Sequence, residues 1–117
     1  MTDKIKTGMK GEDLAATFLT EKGFTVLERN YRYKKSEIDL IVCRNNWLVF
    51  VEVKTRSSTA FGYPEEFVDN NKKLKIFEGA VEYMYIKNWQ GNVRYDIVAV
   101  NILGDEYQIA HIEDAFY

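Results

Sequence analysis

Residues 47 to 51 read Trp-Leu-Val-Phe-Val, and five large apolar side chains in a row leave a strand no polar face. Side chains alternate across a strand, so Val49 and Val51 point one way and Leu48 and Phe50 the other. A strand apolar on both faces needs cover on both, which is the setting of a central strand in a sheet flanked by helices. The run then departs from its own pattern. Glu52 and Lys54 continue the face of Leu48 and Phe50 with a carboxylate and an ammonium.

The rest of the chain supplies the elements such a strand requires. With 117 residues there is room for one domain, residues 1–117, around a single core. Residues 7–22 read as a helix, with Leu14, Ala15, Phe18 and Leu19 at helical spacing and Gly23 as the stop. Strands are expected at 24–33, 37–43 and 47–54, the last two joined in a hairpin at Asn45-Asn46. Residues 57–63 read as a loop, and Pro64 with Glu65 and Glu66 as a helix start. Asp69 is placed to cap a longer helix reaching about residue 88, with Leu74, Phe77, Val81 and Met84 or Tyr85 as its buried stripe and Gly91 beyond its end. Strands at 93–103 and 106–112 complete the chain. A crossover of that length can return the fourth strand parallel to the third. The expected fold is therefore α/β, in the order αβββαββ, with helices on a central mixed five-stranded sheet.

Composition narrows the function classes. No stretch approaches the roughly 18 apolar residues of a membrane span, and Met1 to Leu14 has no apolar core of a secretory signal. One cysteine, Cys43, allows no internal disulfide, which fits a reducing cytoplasm. The formal net charge is −2 and the pI about 5.5, unlike a generic nucleic-acid binder. Basic residues nevertheless cluster: Arg29, Arg32, Lys34 and Lys35, then Lys54 and Arg56, then Lys72, Lys73 and Lys75. Asp105, Glu106, Glu113 and Asp114 make the far end acidic. A mixed solvated surface explains these charges as simply as a basic face does.

The carboxylates are harder to explain away. A hairpin about Asn45-Asn46 sets Ile38 to Leu40 opposite Val51 to Val53, which brings Asp39 beside Glu52. By alternation Ile38, Leu40 and Val42 share one face, and Glu37, Asp39 and Ile41 the other. Two carboxylates about 5 Å apart at the end of a core strand repel by roughly 3 kcal/mol. A proton on one of them, Lys54, or a divalent cation between them would offset this. Two carboxylates and a backbone carbonyl are hard oxygen donors, suited to Mg²⁺ or Mn²⁺ rather than Zn²⁺.

Asp39 followed by Glu52-x-Lys54 resembles the PD-(D/E)xK signature of restriction-endonuclease-like nucleases. The resemblance extends over nearly the whole chain to the YraN family. It takes in Gly8, Gly11-Glu12, Ala15, Leu19, Gly23, Asn30, Glu37 to Ile41, Val49 to Lys54 with Arg56, Phe61-Gly62 with Pro64-Glu65, the lysine-rich start of the long helix, Arg94-x-Asp96, and His111 to Phe116. Ser36 departs from the glycine usual before Glu-Ile-Asp, and Ile38 stands where the nominal signature has proline. The family is endonuclease-like and similar in fold to archaeal Holliday-junction resolvases. The resemblance implies Asp39, Glu52 and the Val53 carbonyl as ligands of Mg²⁺ or Mn²⁺, with Glu12 joining directly or through water, and Lys54 as the catalytic lysine.

The expected function is thus metal-dependent hydrolysis of structured or branched DNA, in preference to RNA, in the cytoplasm and away from membranes. Arg29, Arg32, Lys34, Lys35 and Arg56 are the candidate phosphate contacts. Two cuts in a symmetric substrate would call for a homodimer. The rival readings are a nucleic-acid-binding module that keeps the fold without cutting, and a dimeric protein-interaction domain. Glu37 either joins the site or binds a basic neighbour, Arg94 and Asp96 read as a structural ion pair, and Cys43 as a small core residue.

Overall fold

Gly23 ends the first helix by conformation. In a computed structural model describing residues 3–56 and 70–116, with side chains from Lys10 onward, α1 runs Asp3–Glu21. Gly23 takes φ 96°, and the Phe24 N–H reaches back to the Leu19 carbonyl at 3.0 Å while the Gly23 N–H bonds Thr20. α2 (Asn70–Lys87) closes in the same way on Asn88, φ 52°, whose neighbour Trp89 donates to the Met84 carbonyl at 3.0 Å. Asparagine tolerates this left-handed position, so the helix stops before Gly91. The expected helix start at Pro64, the cap at Asp69 and the loop carrying Phe61 and Tyr63 lie outside the described residues.

The strands are β1 (Thr25–Tyr33), β2 (Ser36–Arg44), β3 (Trp47–Arg56), β4 (Asn92–Leu103) and β5 (Glu106–Ile112). They form one sheet in the order β1-β2-β3-β4-β5. β3 and β4 run parallel, joined through α2, and the other neighbours are antiparallel. This is the mixed-sheet α/β architecture in the order αβββαββ expected of a restriction-endonuclease-like fold. No helix among the described residues is long and apolar enough to cross a membrane.

β3 is central, and both of its faces are covered. Val49, Val51 and Val53 pack with Leu40, Val42, Val98 and Val100 under Ala15 and Leu19 of α1. Leu48 and Phe50 pack with Ile41 and Ile97 under Ile76, Ala80 and Tyr83 of α2. Each large side chain buried this way stabilises by about 1.5–3 kcal/mol relative to exposure, so the middle strand anchors both layers. Cys43 is a free, partly buried side chain on the α2 side.

Two expectations from periodicity need correction. The buried face of α2 is Ile76, Gly79, Ala80 and Tyr83, whereas Leu74, Val81 and Tyr85 are 64%, 61% and 83% exposed. Phe77 and Met84 are only partly buried. The helix meets the sheet through its smallest residues: a Cβ on Gly79 would lie 3.1 Å from the Ser36 Cβ. Leu74, Val81 and Tyr85 are turned outward, while Phe77 packs edge-on against Tyr95 at 4.8 Å. Ile38, in turn, does not share a face with Leu40 and Val42 but packs on the α2 side with Ile41. Alternation breaks around Asp39, and on β1 the residue between the partners of Leu40 and Ile38 is Asn30, in the left-handed region at φ 52°.

Candidate active site

The β2–β3 ladder pairs Arg44 with Trp47 at the hairpin and ends with Leu40 opposite Val51. One step further lie Asp39 and Glu52. Here a side chain replaces the backbone partner: the Val53 N–H donates to Asp39 Oδ2 at 2.8 Å. The N–H and C=O of one strand residue leave on the same edge, so the Val53 carbonyl also faces the Asp39 side. Glu52 is 4% exposed, on the α2 side of the strand. Its Oε1 is 3.4 Å from the Lys54 ammonium and accepts a hydrogen bond from Lys72 of α2.

Glu12 approaches from the opposite helix. Next to it, a Cβ on Gly11 would lie 2.8 Å from Thr55 Cγ2 and 2.9 Å from Thr55 Cβ, so only glycine lets α1 come down on the end of β3. Glu12 hydrogen-bonds Asn30, and its charge is felt at Asp39. The fold thereby brings Asp39, Glu52 and Lys54 together from two strands, while Glu12 of α1 acts on Asp39 through its charge.

These groups perturb one another. Burial, and then the charge of Glu52, pushes the Asp39 carboxyl up to about 7, against the pull of the Val53 amide. Burial raises Glu12 as well, although Asn30 and Arg29 oppose it. Burial, and then the neighbouring Lys72, holds the Lys54 ammonium below the usual lysine range. Lys72 is raised: burial works against its charge, but its bond to Glu52 prevails. An aspartate raised from 3.8 to about 7 stabilises the fold least when ionised. Its cost is absent below pH about 4, grows as pH rises to about 7, and is full above that. Asp39→Asn is therefore expected to gain about 2–4 kcal/mol on wild type between pH 4 and pH 8. Parallel pH–stability curves from urea unfolding of the two proteins would refute this.

The donor set fits one kind of metal. Among the described residues no three His, Cys, Asp or Glu side chains are grouped so that they could hold a metal ion together, so Glu12 does not join Asp39 and Glu52 as a third carboxylate. Mg²⁺ is commonly held by one or two carboxylates, with water and substrate phosphate completing its shell. Asp39 and Glu52, adjacent and mutually repelling, with the Val53 carbonyl on the same edge, suit that arrangement and not a thiolate or imidazole site.

The expected phosphate contacts fare unevenly. Arg29 is engaged by Asp13 at 2.7 Å and Arg32 lies 3.6 Å from Glu37, which turns outward to it. Lys34 and Lys35 are exposed on the β1–β2 turn, with Lys34 over the Tyr33 ring, and Arg56 is exposed at the end of β3. Arg94 and Asp96 form a two-bond ion pair, both contacts at 2.9 Å, on a fully buried carboxylate. The residue missed from the sequence is Lys72, read there only as part of a basic cluster. Its signal was position: Lys72 lies one turn before Ile76, on the line of the buried face.

Comparison with known proteins adds a family. Residues 11–100 match the model described as uncharacterised protein family UPF0102. A UPF0102 protein of Cytophaga hutchinsonii is 45% identical over 112 residues, covering 96% of each chain. One from Flavobacterium psychrophilum is 43% identical over 117 residues, covering 100% of this chain and 98% of that one. One from Rhodococcus opacus is 44% identical over 119 residues, covering 99% and 100%.

Proposed function

We propose that this chain, which belongs to the uncharacterised protein family UPF0102 (the YraN family), is a Mg²⁺- or Mn²⁺-dependent endonuclease hydrolysing phosphodiester bonds of structured or branched DNA. The observation that carries the reading is the meeting of Asp39, Glu52 and Lys54 where the β2–β3 ladder ends. Asp39 and Glu52, with the Val53 carbonyl, would hold the cation. When bound, the cation supplies Lewis-acid polarisation of the phosphate and an easier proton loss from water.

The chain's own residues do the rest. Asp39 fixes the end of β3 through the Val53 amide and so sets the spacing of both carboxylates. Lys54 projects from a rigid strand beside Glu52, with its ammonium disposed to lose a proton, so it can orient the attacking water and take up its proton. In its charged form it offsets the negative charge growing on the phosphate. Lys34 and Lys35 are exposed for phosphate contacts, Arg56 lies exposed at the end of β3, and Arg29 is paired with Asp13. Two such sites in a homodimer would cut a symmetric junction. On this reading the chain would act in the cytoplasm.

The test is incubation with duplex, single-stranded, flap and four-way-junction DNA in Mg²⁺, Mn²⁺ or chelator. Branched forms are expected to be cut with either metal and left intact with chelator. Binding without cutting would make the chain a nucleic-acid-binding module instead, and neither binding nor cutting would leave the interaction-domain reading.

A further inference from the structure

Glu52 already has a cation, and the cation comes from the other layer of the fold. Its buried carboxylate presents one oxygen, Oε1, to two ammonium groups, Lys54 of β3 and Lys72 of α2. A carboxylate buried to this degree must be paired in every state of the protein. A divalent ion shared by Asp39 and Glu52 would stand beside an ammonium bonded to the same carboxylate, and the two positive charges would repel strongly. One of the lysines has to give way.

The two lysines are not equally able to move. Lys54 is 19% exposed and sits on the central strand, paired with β4 at Ala99. Lys72 is 39% exposed in the first turn of α2, on a long side chain with open solvent on one side. Its carbon stem can remain against the protein while its head swings outward.

Resting on the nuclease reading, we propose that Lys72 is an exchangeable internal counter-ion: it neutralises Glu52 in the metal-free protein, is displaced by the arriving Mg²⁺ or Mn²⁺, and is thereby released to position the substrate phosphate. Removing it has opposite effects on the two ligands. The metal gains, because a competitor is gone, and DNA loses, because a phosphate contact is gone.

Mn²⁺ titration of the DNA-free protein by electron paramagnetic resonance reads the first effect. Lys72→Met is expected to tighten Mn²⁺ binding by about 10-fold, the scale on which groups around a metal's ligands act. Lys75→Met, exposed on the same helix, is expected to leave it within about 2-fold, because a solvated charge is screened. Lys72→Gln repeats the measurement with a polar side chain should the methionine variant fold poorly. Binding of a four-way junction in Ca²⁺ is expected to be weaker in both Lys72 variants than in wild type. Unchanged or weaker Mn²⁺ affinity in the Lys72 variants, or equal tightening by Lys75→Met, overturns the proposal. No cleavage by wild type, alongside the expected Mn²⁺ shift, would sink the nuclease reading and leave the counter-ion standing. Normal cleavage with no shift would do the reverse.

Discussion

Glu52→Gln is expected to lower the single-turnover rate of the proposed DNA cleavage by about 10²–10³-fold, the scale seen when one group that stabilises transition-state charge is lost. Glutamine keeps the shape of the side chain, but it offers one neutral oxygen where Glu52 offers a charged pair. Of the two proposed carboxylate ligands only Asp39 would then remain, beside the Val53 carbonyl. Glu52→Ala loses at least as much, and it also leaves Lys54 and Lys72 facing each other without the carboxylate they share. The rate of Lys54→Ala is expected to fall by a similar factor, since its ammonium sits beside Glu52 without being a proposed ligand. Unchanged melting temperature separates lost chemistry from lost fold. Equal rates in wild type and all three variants would trace the cleavage to a contaminant.

That the first variants can be chosen at all reflects how local the relevant signals are. The run from Trp47 to Val51 announces a central strand because the period of a strand is two residues, and no distant contact is needed to read it. The hairpin then transmits that certainty to β2: a two-residue connection at Asn45-Asn46, with Asn45 at φ 57°, sets Arg44 against Trp47. Counting outward brings Asp39 alongside Glu52. What escaped that logic depends on how layers pack. The side of Ile38 turns on Asn30, a backbone conformation on another strand. The face of α2 turns on Gly79 fitting against Ser36, so hydrophobicity alone found Phe77 and Met84, which pack on the core, but also Leu74 and Val81, which do not. Lys72 reaches Glu52 across 20 residues of sequence and from a different layer, so no periodicity within either element could have paired them.

The largest effect on stability lies elsewhere, in a network that the sequence showed only as Arg94-x-Asp96. Asp96 is fully buried, yet both oxygens are satisfied: Arg94 bonds each at 2.9 Å, the Asp114 N–H bonds Oδ1 at 2.9 Å, and His111 Nε2 meets Oδ2 at 2.7 Å. Lys22, just beyond α1, lies 2.8 Å from His111 Nδ1. An ammonium can only donate, so Nδ1 accepts and the ring proton on Nε2 goes to Asp96. One carboxylate thus ties the end of α1, β4, β5 and the C-terminal segment together. Burial alone would raise Asp96, but the bonds from His111, Arg94 and Asp114 outweigh it and hold the carboxyl below the usual range. Its stabilisation is therefore present above pH about 4 and is lost as pH falls through the depressed native value. Asp96→Ala strands Arg94, only 13% exposed, and is expected to cost about 3–5 kcal/mol. For a chain of this size that lowers the melting temperature by about 10–20 °C at neutral pH. Asp96→Asn is expected to cost less and to flatten the acid limb of stability, because the group that must be protonated is gone. Pairing Asp96→Asn with Arg94→Met should cost less than the sum of the two single changes, since the second removes the charge that the first leaves unmatched. Strict additivity in that cycle, or an acid limb unchanged by Asp96→Asn, would show that the carboxylate does not hold these elements together by its charge.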